Sequence, residues 1–200
     1  VTFAAIVVGG YLLGSCPWGS WLVRLFRHED VRKHGSGSIG ASNVWRMYGR
    51  RLGLPVVVLD VLKGYVPALV GVLVVSHLCG ILAGAAAMLG HARPIWLRFE
   101  KGGKMVATGG GVIFAVEPLA AGVVTLVWLA TFLATRYTSV ASIFAAIALP
   151  VATVVAGYPW PVIVFAGLTG LAVVVLHRAN LQRLRRGTEH RFRLRRPAQA

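Results

Sequence analysis

Acidic side chains are almost missing from this chain: 6 Asp and Glu stand against 21 Lys and Arg in 200 residues, and only Glu29 and Asp30 adjoin. A mechanism built on two opposed carboxylates therefore has little to work with, and a tightly held Mg2+ lacks its oxygen ligands. Cysteine is as scarce. Cys16 and Cys79 both lie in apolar stretches without metal-ligand spacing, so they read as packing residues and argue against a disulfide framework or a zinc cluster. Charge of either sign is low, at 14%, while 56% of residues are hydrophobic and mean hydropathy is +0.71, too apolar for a soluble domain of this length. The expectation is an all-α integral membrane protein, one domain over residues 1–200, with no internal repeat.

What the chain does have is long apolar runs. A crossing takes about 20 apolar residues, and the candidates are 1–26, 52–75, 78–97, 105–116, 119–134, 140–157 and 161–176. The opening VTFAAIVVGGYLLG carries no positive n-region and reads as the first crossing rather than as a cleaved signal. By length, 105–116 and 119–134 could also be one bent helix broken at Glu117-Pro118. Charge separates the two readings. Lys and Arg fall at 24–51, 93–104, 136 and 178–196, with Lys63 alone inside a span. If those segments all face the cytoplasm, the chain must cross twice between Lys104 and Arg136, which predicts seven transmembrane helices, the N-terminus outside and the C-terminus inside. The same rule accounts for the net charge of +15 without nucleic acid as a partner. Residues 183–200 form a basic cytoplasmic tail expected to lie on anionic lipid headgroups or, from Arg191 onward, to act as a topology signal alone.

Three polar segments share one chemical style. GSGSIGASNVWR places Gly35, Ser36, Gly37, Ser38 and Gly40 ahead of a stretch expected to be helical from Ala41. It matches G-x-G-x-x-G, but no βαβ unit surrounds it and the dinucleotide reading fails. The physics beneath the motif remains: small residues leave backbone N–H groups free to face an anion before a helix start. Asn43 and Arg46, three apart, share one face of that helix. FEKGGKMVATGGG is not a Walker A loop, since Met105 follows Lys104. Gly102 and Gly103 let a ligand approach the main chain, and Lys104 sets a point charge at the mouth of the next helix, whereas Lys101 reads more simply as an interfacial anchor.

In HRANLQRLRRGTEHR, His177 and Asn180 can face one cavity, although a span-end histidine taken alone is more often an interfacial group. Asp60 and Lys63, in LDVLKG, lie one turn apart inside a span, where ionisable groups pair or line a pathway. Ser139 and Ser142 repeat that spacing in TRYTSVAS, and a span serine can simply bond its own helix backbone. No histidine is followed five positions later by aspartate, so the H-x4-D signature of thioester-dependent acyltransferases is missing. The residues alone leave open a phosphate-handling enzyme, a small organophosphate or phosphate transporter and a lipid-binding scaffold. A transporter should present polar groups to both faces, often with inverted repeats.

Six ordered motifs run the length of the chain: YLLGSCPWG, GSGSIGASNVWR, DVLKG, GHARPIWLRFEKGGKMVAT, TRYTSVAS and HRANLQRLRRGTE. Together they resemble the acyl-phosphate-dependent glycerol-3-phosphate acyltransferases of bacteria, the PlsY family. The resemblance implies a seven-helix enzyme of the bacterial cytoplasmic membrane, its site open to the cytoplasm, working without a cofactor. It would transfer a fatty acyl group from acyl phosphate to the 1-hydroxyl of glycerol 3-phosphate, giving lysophosphatidate and inorganic phosphate. Carried over by motif, His177, Asn180, Lys104 and Arg46 are catalytic. Gly35, Ser36, Gly37, Ser38, Gly40, Asn43, Gly102, Gly103 and Ser142 bind substrate. The two glycine segments would hold the acyl phosphate headgroup, Arg46 and Lys104 would bind phosphate, and His177 and Asn180 would orient the attacking hydroxyl. Two positions depart from the family pattern. Ser38 stands where asparagine is usual, and Met105 where glycine is usual, which puts any extreme backbone angle at 105 in question.

Overall fold

The structure, a computed structural model, describes residues 1–192; residues 193–200, the end of the expected basic tail, lie outside the described residues. The described residues form α-helices and no strand: α1 (Thr2–Gly14), α2 (Trp18–Arg27), α3 (Ala41–Tyr48), α4 (Arg50–Val74), α5 (His77–Ala92), α6 (Val106–Val116), α7 (Pro118–Thr135), α8 (Thr138–Val155), α9 (Trp160–Leu176) and α10 (Arg178–Arg185). The expected helix from Ala41 begins there. Short 3-10 turns occupy Val31–Lys33 and Ile95–Leu97.

Five segments are long and apolar enough to cross a bilayer: Thr2–Arg27, which contains α1 and α2, then Arg50–Val74, His77–Leu97, Pro118–Thr135 and Thr138–Val155. A sixth follows if α9 and α10, bent by 52°, count as one. Large exposed side chains such as Leu25, Phe26, Leu73, Leu126, Leu133, Val155, Leu168 and Leu171 leave an apolar surface suited to lipid. The expected crossing at 105–116 is α6, with 11 residues. At 1.5 Å per residue it reaches about 16 Å, roughly half of a hydrocarbon core of about 30 Å, so length alone does not make it a span.

Glycine and alanine carry the packing between helices. A Cβ on Gly10 or Gly14 of α1 would run into the backbone of Ala83 or Ala87 of α5, and one on Gly64 of α4 into the backbone of Thr108 of α6. Small residues spaced this way let backbones approach where lipid removes the usual hydrophobic drive. Pro17, fully buried, holds the break between α1 and α2.

The two ends of the bundle differ. At one, Ser76 caps α5 by accepting from Cys79 N–H (3.2 Å), and His77 Nε2 meets Glu117 Oε1 at 3.0 Å at the turn between α6 and α7. The end of α7 comes back beside the start of α6, since Arg136 O receives Phe192 N–H and both helices line one cavity, so 105–134 doubles back at Glu117 instead of running on as one bent helix. The opposite end gathers the basic segments. Arg32 forks to Asp30 and Glu100, joining the loop before α3 to the loop before α6. From Glu117 the chain needs 18 residues of α7 to return to Arg136, but only the 11 of α6 to reach Met105. The start of α6 therefore sits about 10 Å deeper than the end of α7. This recess holds the site.

Candidate active site

A cavity of about 590 Å³ opens at the basic end, lined by Ser36, Ser38, Gly40, Asn43, Arg46, Lys104, Ser142, His177 and Asn180 together with an apolar wall from α6, α7 and α8 that includes Ile113, Val124, Trp128 and Leu149. Nine of the sequence-predicted site residues thus share one wall. Gly35, Gly37, Gly102 and Gly103 are not on it.

The first glycine segment is held from within. Asn43 Oδ1 accepts from Ser36 N–H at 3.0 Å, and its Nδ2 donates to the carbonyls of His34 (3.1 Å) and Ser38 (2.9 Å). Gly37 N–H bonds His34 O, and Gly40 N–H bonds Ser38 Oγ at 3.2 Å, so serine does support this turn. Gly35 and Gly37 carry the positive φ values, 59° and 69°, that make them necessary. The expectation of free amides along this loop is corrected: those of Ser36, Gly37 and Gly40 are engaged within it. What the loop delivers to the cavity is the start of α3, where Asn43 N–H bonds Gly40 O but the N–H groups of Ala41 and Ser42 have no intrahelical partner.

The second segment differs in the same direction. Gly102 N–H bonds Ala92 O and Gly103 N–H bonds His91 O, both at 3.0 Å, capping the end of α5. These two amides are therefore not available to a phosphate, against the sequence expectation. The chain turns back through Arg98 and Phe99 (φ 53° and 61°), and a Cβ on Gly103 would overlap the His91 ring. The glycines serve close packing, which brings Lys104 and the first turn of α6 to the cavity. Met105 takes the left-handed backbone after all, with φ 66°, as the N-cap of α6, and buries its side chain to 6% exposure.

Lys104 Nζ donates to Asn180 Oδ1 at 2.6 Å. Burial pulls the Lys104 ammonium down to about 8; Glu189 opposes this, while Arg183 and Arg46 add to it. Arg46 is lowered too, chiefly by burial, and its buried Nε has no hydrogen-bond partner. A half-desolvated guanidinium and ammonium lining one cavity form a site for anionic oxygen. His177 Nδ1 lies 2.7 Å from Val173 O. A carbonyl can only accept, so Nδ1 carries the hydrogen, and the neutral ring keeps Nε2 as its acceptor. Ser142 Oγ donates to Thr138 O (2.7 Å) and accepts from Trp128 Nε1 (3.2 Å), the self-bonding that a span serine favours. Lys101 is exposed, as an anchor should be.

Sequence reasoning missed the residue that ties this end together. Glu189 accepts from Ser139 Oγ (2.8 Å), Asn180 Nδ2 (2.6 Å) and Arg183 Nε (2.7 Å). Burial would raise its carboxyl, but those bonds outweigh it and leave it below the usual range. Phe192 then packs on Trp45 and Phe132 and donates its N–H to Arg136 O. Glu189 and Phe192 thus fold back onto this end, and Phe192 lines the cavity, while Arg185, Arg186 and Arg191 stay exposed. The one signal was Glu189 itself, the sole acid in a basic segment.

A family model described as glycerol-3-phosphate acyltransferase matches residues 4–187. Relatives of that description include one from Desulforudis audaxviator, 43% identical over 95% of this chain and 96% of its own length. Another, from Aquifex aeolicus, is 44% identical over 94% and 97%. Among solved structures, the chain is similar to PlsY (YgiH), an integral membrane glycerol 3-phosphate acyltransferase. Its glycerol 3-phosphate form superposes with a TM-score of 0.92 at 42% identity, covering 96% of both chains. Its lysophosphatidic acid form gives 0.88 at 41%, covering 97% of both.

Proposed function

The chain belongs to the glycerol-3-phosphate acyltransferase family, and from that premise we propose how its cavity carries out the transfer. The protein is an integral membrane acyltransferase acting on glycerol 3-phosphate, which places it in phospholipid synthesis and sets the transporter reading aside. The donor is acyl phosphate. Its phosphate is already a competent leaving group, so no covalent enzyme intermediate is needed and the task reduces to holding two anions side by side. The supporting observation is the meeting of Arg46, Lys104, His177 and Asn180 on a cavity whose other wall is apolar. Arg46, Lys104 and the first turns of α3 and α6 hold the phosphates, with Ser36, Ser38 and Asn43 shaping the rim. The fatty chain follows the wall of Ile113, Val124, Trp128 and Leu149.

In the reaction the 1-hydroxyl oxygen of glycerol 3-phosphate forms a bond to the acyl carbonyl carbon, and the bond from that carbon to the phosphate oxygen breaks. The hydroxyl proton passes to His177 Nε2 or directly to the departing phosphate. The pH profile of His177→Gln separates these, since a histidine base sets an acidic limb that the variant loses. The recess at α6 supports a seventh, short crossing that begins at the floor of the cavity, with Lys104 at its mouth. The positive-inside rule then sets the cavity toward the cytoplasm of the bacterial inner membrane. A single cysteine at Lys101 should react with an impermeant reagent only from inside, and one at Trp160 only from outside.

The direct test is purified protein in nanodiscs with labelled glycerol 3-phosphate and acyl phosphate and no other enzyme. Lysophosphatidate and phosphate should appear in equal amounts. Turnover with an acyl thioester, and none with acyl phosphate, overturns the donor assignment.

A further inference from the structure

Behind the second glycine segment lies a fully interior group of charges that the reaction does not use. Lys63, 2% exposed, donates to Asp60 Oδ1 at 2.8 Å and to the carbonyl of Cys16 at 2.9 Å. That carbonyl belongs to the break between α1 and α2, where backbone acceptors lose their helical partners. His91 Nδ1 stands 3.7 Å from the same Asp60 oxygen, beyond hydrogen-bond range, and has no partner. Asp60 and His91 both reach the cavity wall. A carboxylate beside a phosphate site repels its ligand, so its presence calls for a reason, and Lys63 neutralises it. The His91 ring lies where a Cβ on Gly103 would go, and the His91 carbonyl receives Gly103 N–H. Lys104 is the next residue.

We infer that Asp60, Lys63 and His91 are positioning residues: the ion pair ties the α1–α2 break to α4 and backs the His91 ring at 3.7 Å, and His91 through Gly103 sets where Lys104 meets phosphate. The inference rests on the assignment of Lys104 to phosphate binding. Gly103 packs on the face of this ring that Asp60 does not occupy through a hydrogen bond, so a change in the ring's place is felt at Gly103 first.

The ion pair can be removed without stranding a charge, because an apolar pair of similar volume in its place is often neutral or stabilising. Asp60→Leu/Lys63→Met should therefore keep the thermal midpoint within a few degrees of the parent. It should still lose about tenfold or more in kcat/KM, since small misplacements of a binding group cost this much. If that variant does not fold, His91→Gln, which leaves the ion pair in place, carries the test with the same expected loss. A merely structural role would leave the alkaline limb of kcat/KM, governed by Lys104, where it is. Displacing Lys104 toward solvent should move that limb upward by about half a pH unit or more. Parent kcat, KM and alkaline limb in a folded variant overturn the inference. Lys104→Ala serves as the control. If it too is fully active, the phosphate assignment itself fails; if it is inactive while the network variants are normal, only the positioning role fails.

Discussion

Residues 35–40 and residues 102–105 each bring a helix start to the same cavity, yet the first is held by Asn43 within its own neighbourhood and the second by His91 and Ala92 at the end of another helix. In both, the glycines shape the chain while the amides nearest to them are occupied internally. The first segment can form as soon as α3 forms, because its partners are at most nine residues apart. The second exists only once α5 is in place. A rigid local turn and a tertiary clamp thus present the two cations, Arg46 and Lys104, to one cavity.

The comparison is broken most severely at the cations themselves. Lys104→Ala and Arg46→Ala should each reduce kcat/KM by about two decades or more, the usual loss on removing a transition-state charge contact, measured on protein with an unchanged thermal midpoint. Next comes the clamp. Gly103→Ala forces a Cβ into the His91 ring and should lower activity by about tenfold or more. Adding His91→Ala removes the clash and should restore the thermal midpoint, but not the activity, because the ring that positions Lys104 is then missing. Asn43→Ala, on the local side, removes three hydrogen bonds at about 1 kcal/mol each. A fall in thermal midpoint should accompany the activity loss, and no change at His91 should rescue it.

A gentler probe is pH. Lys104 is charged below its lowered value of about 8 and neutral above it. As pH rises past that point, kcat/KM should decline by about tenfold per unit. Bound phosphate stabilises the ammonium, so the same limb in kcat should lie at higher pH. Lys104→Arg, which stays charged, should lose the limb even though its rate is lower. The smallest effect is expected at Met105→Gly. It relieves a left-handed residue, worth about 1–2 kcal/mol, but gives up a buried side chain worth about 1.5–3 kcal/mol, so the thermal midpoint should shift little and slightly downward.

Much of this was legible in the sequence because it depends on near neighbours. Long apolar runs, helix breaks at Ser76, Glu117 and Pro159, and arginines confined to a few segments determine a helical membrane protein with its basic groups at one end. Spacing of three residues put Asn43 with Arg46 and His177 with Asn180 on a shared wall. Tertiary structure alone decided which amides were already engaged, that Glu189 gathers Ser139, Asn180 and Arg183, that Phe192 lines the cavity, and that His91 stands behind Gly103. Hydrophobic period and charge placement are properties of a short window of chain. A hydrogen-bond partner 50 or 76 residues away, as for Ser139 and Lys104, is chosen only when the helices pack.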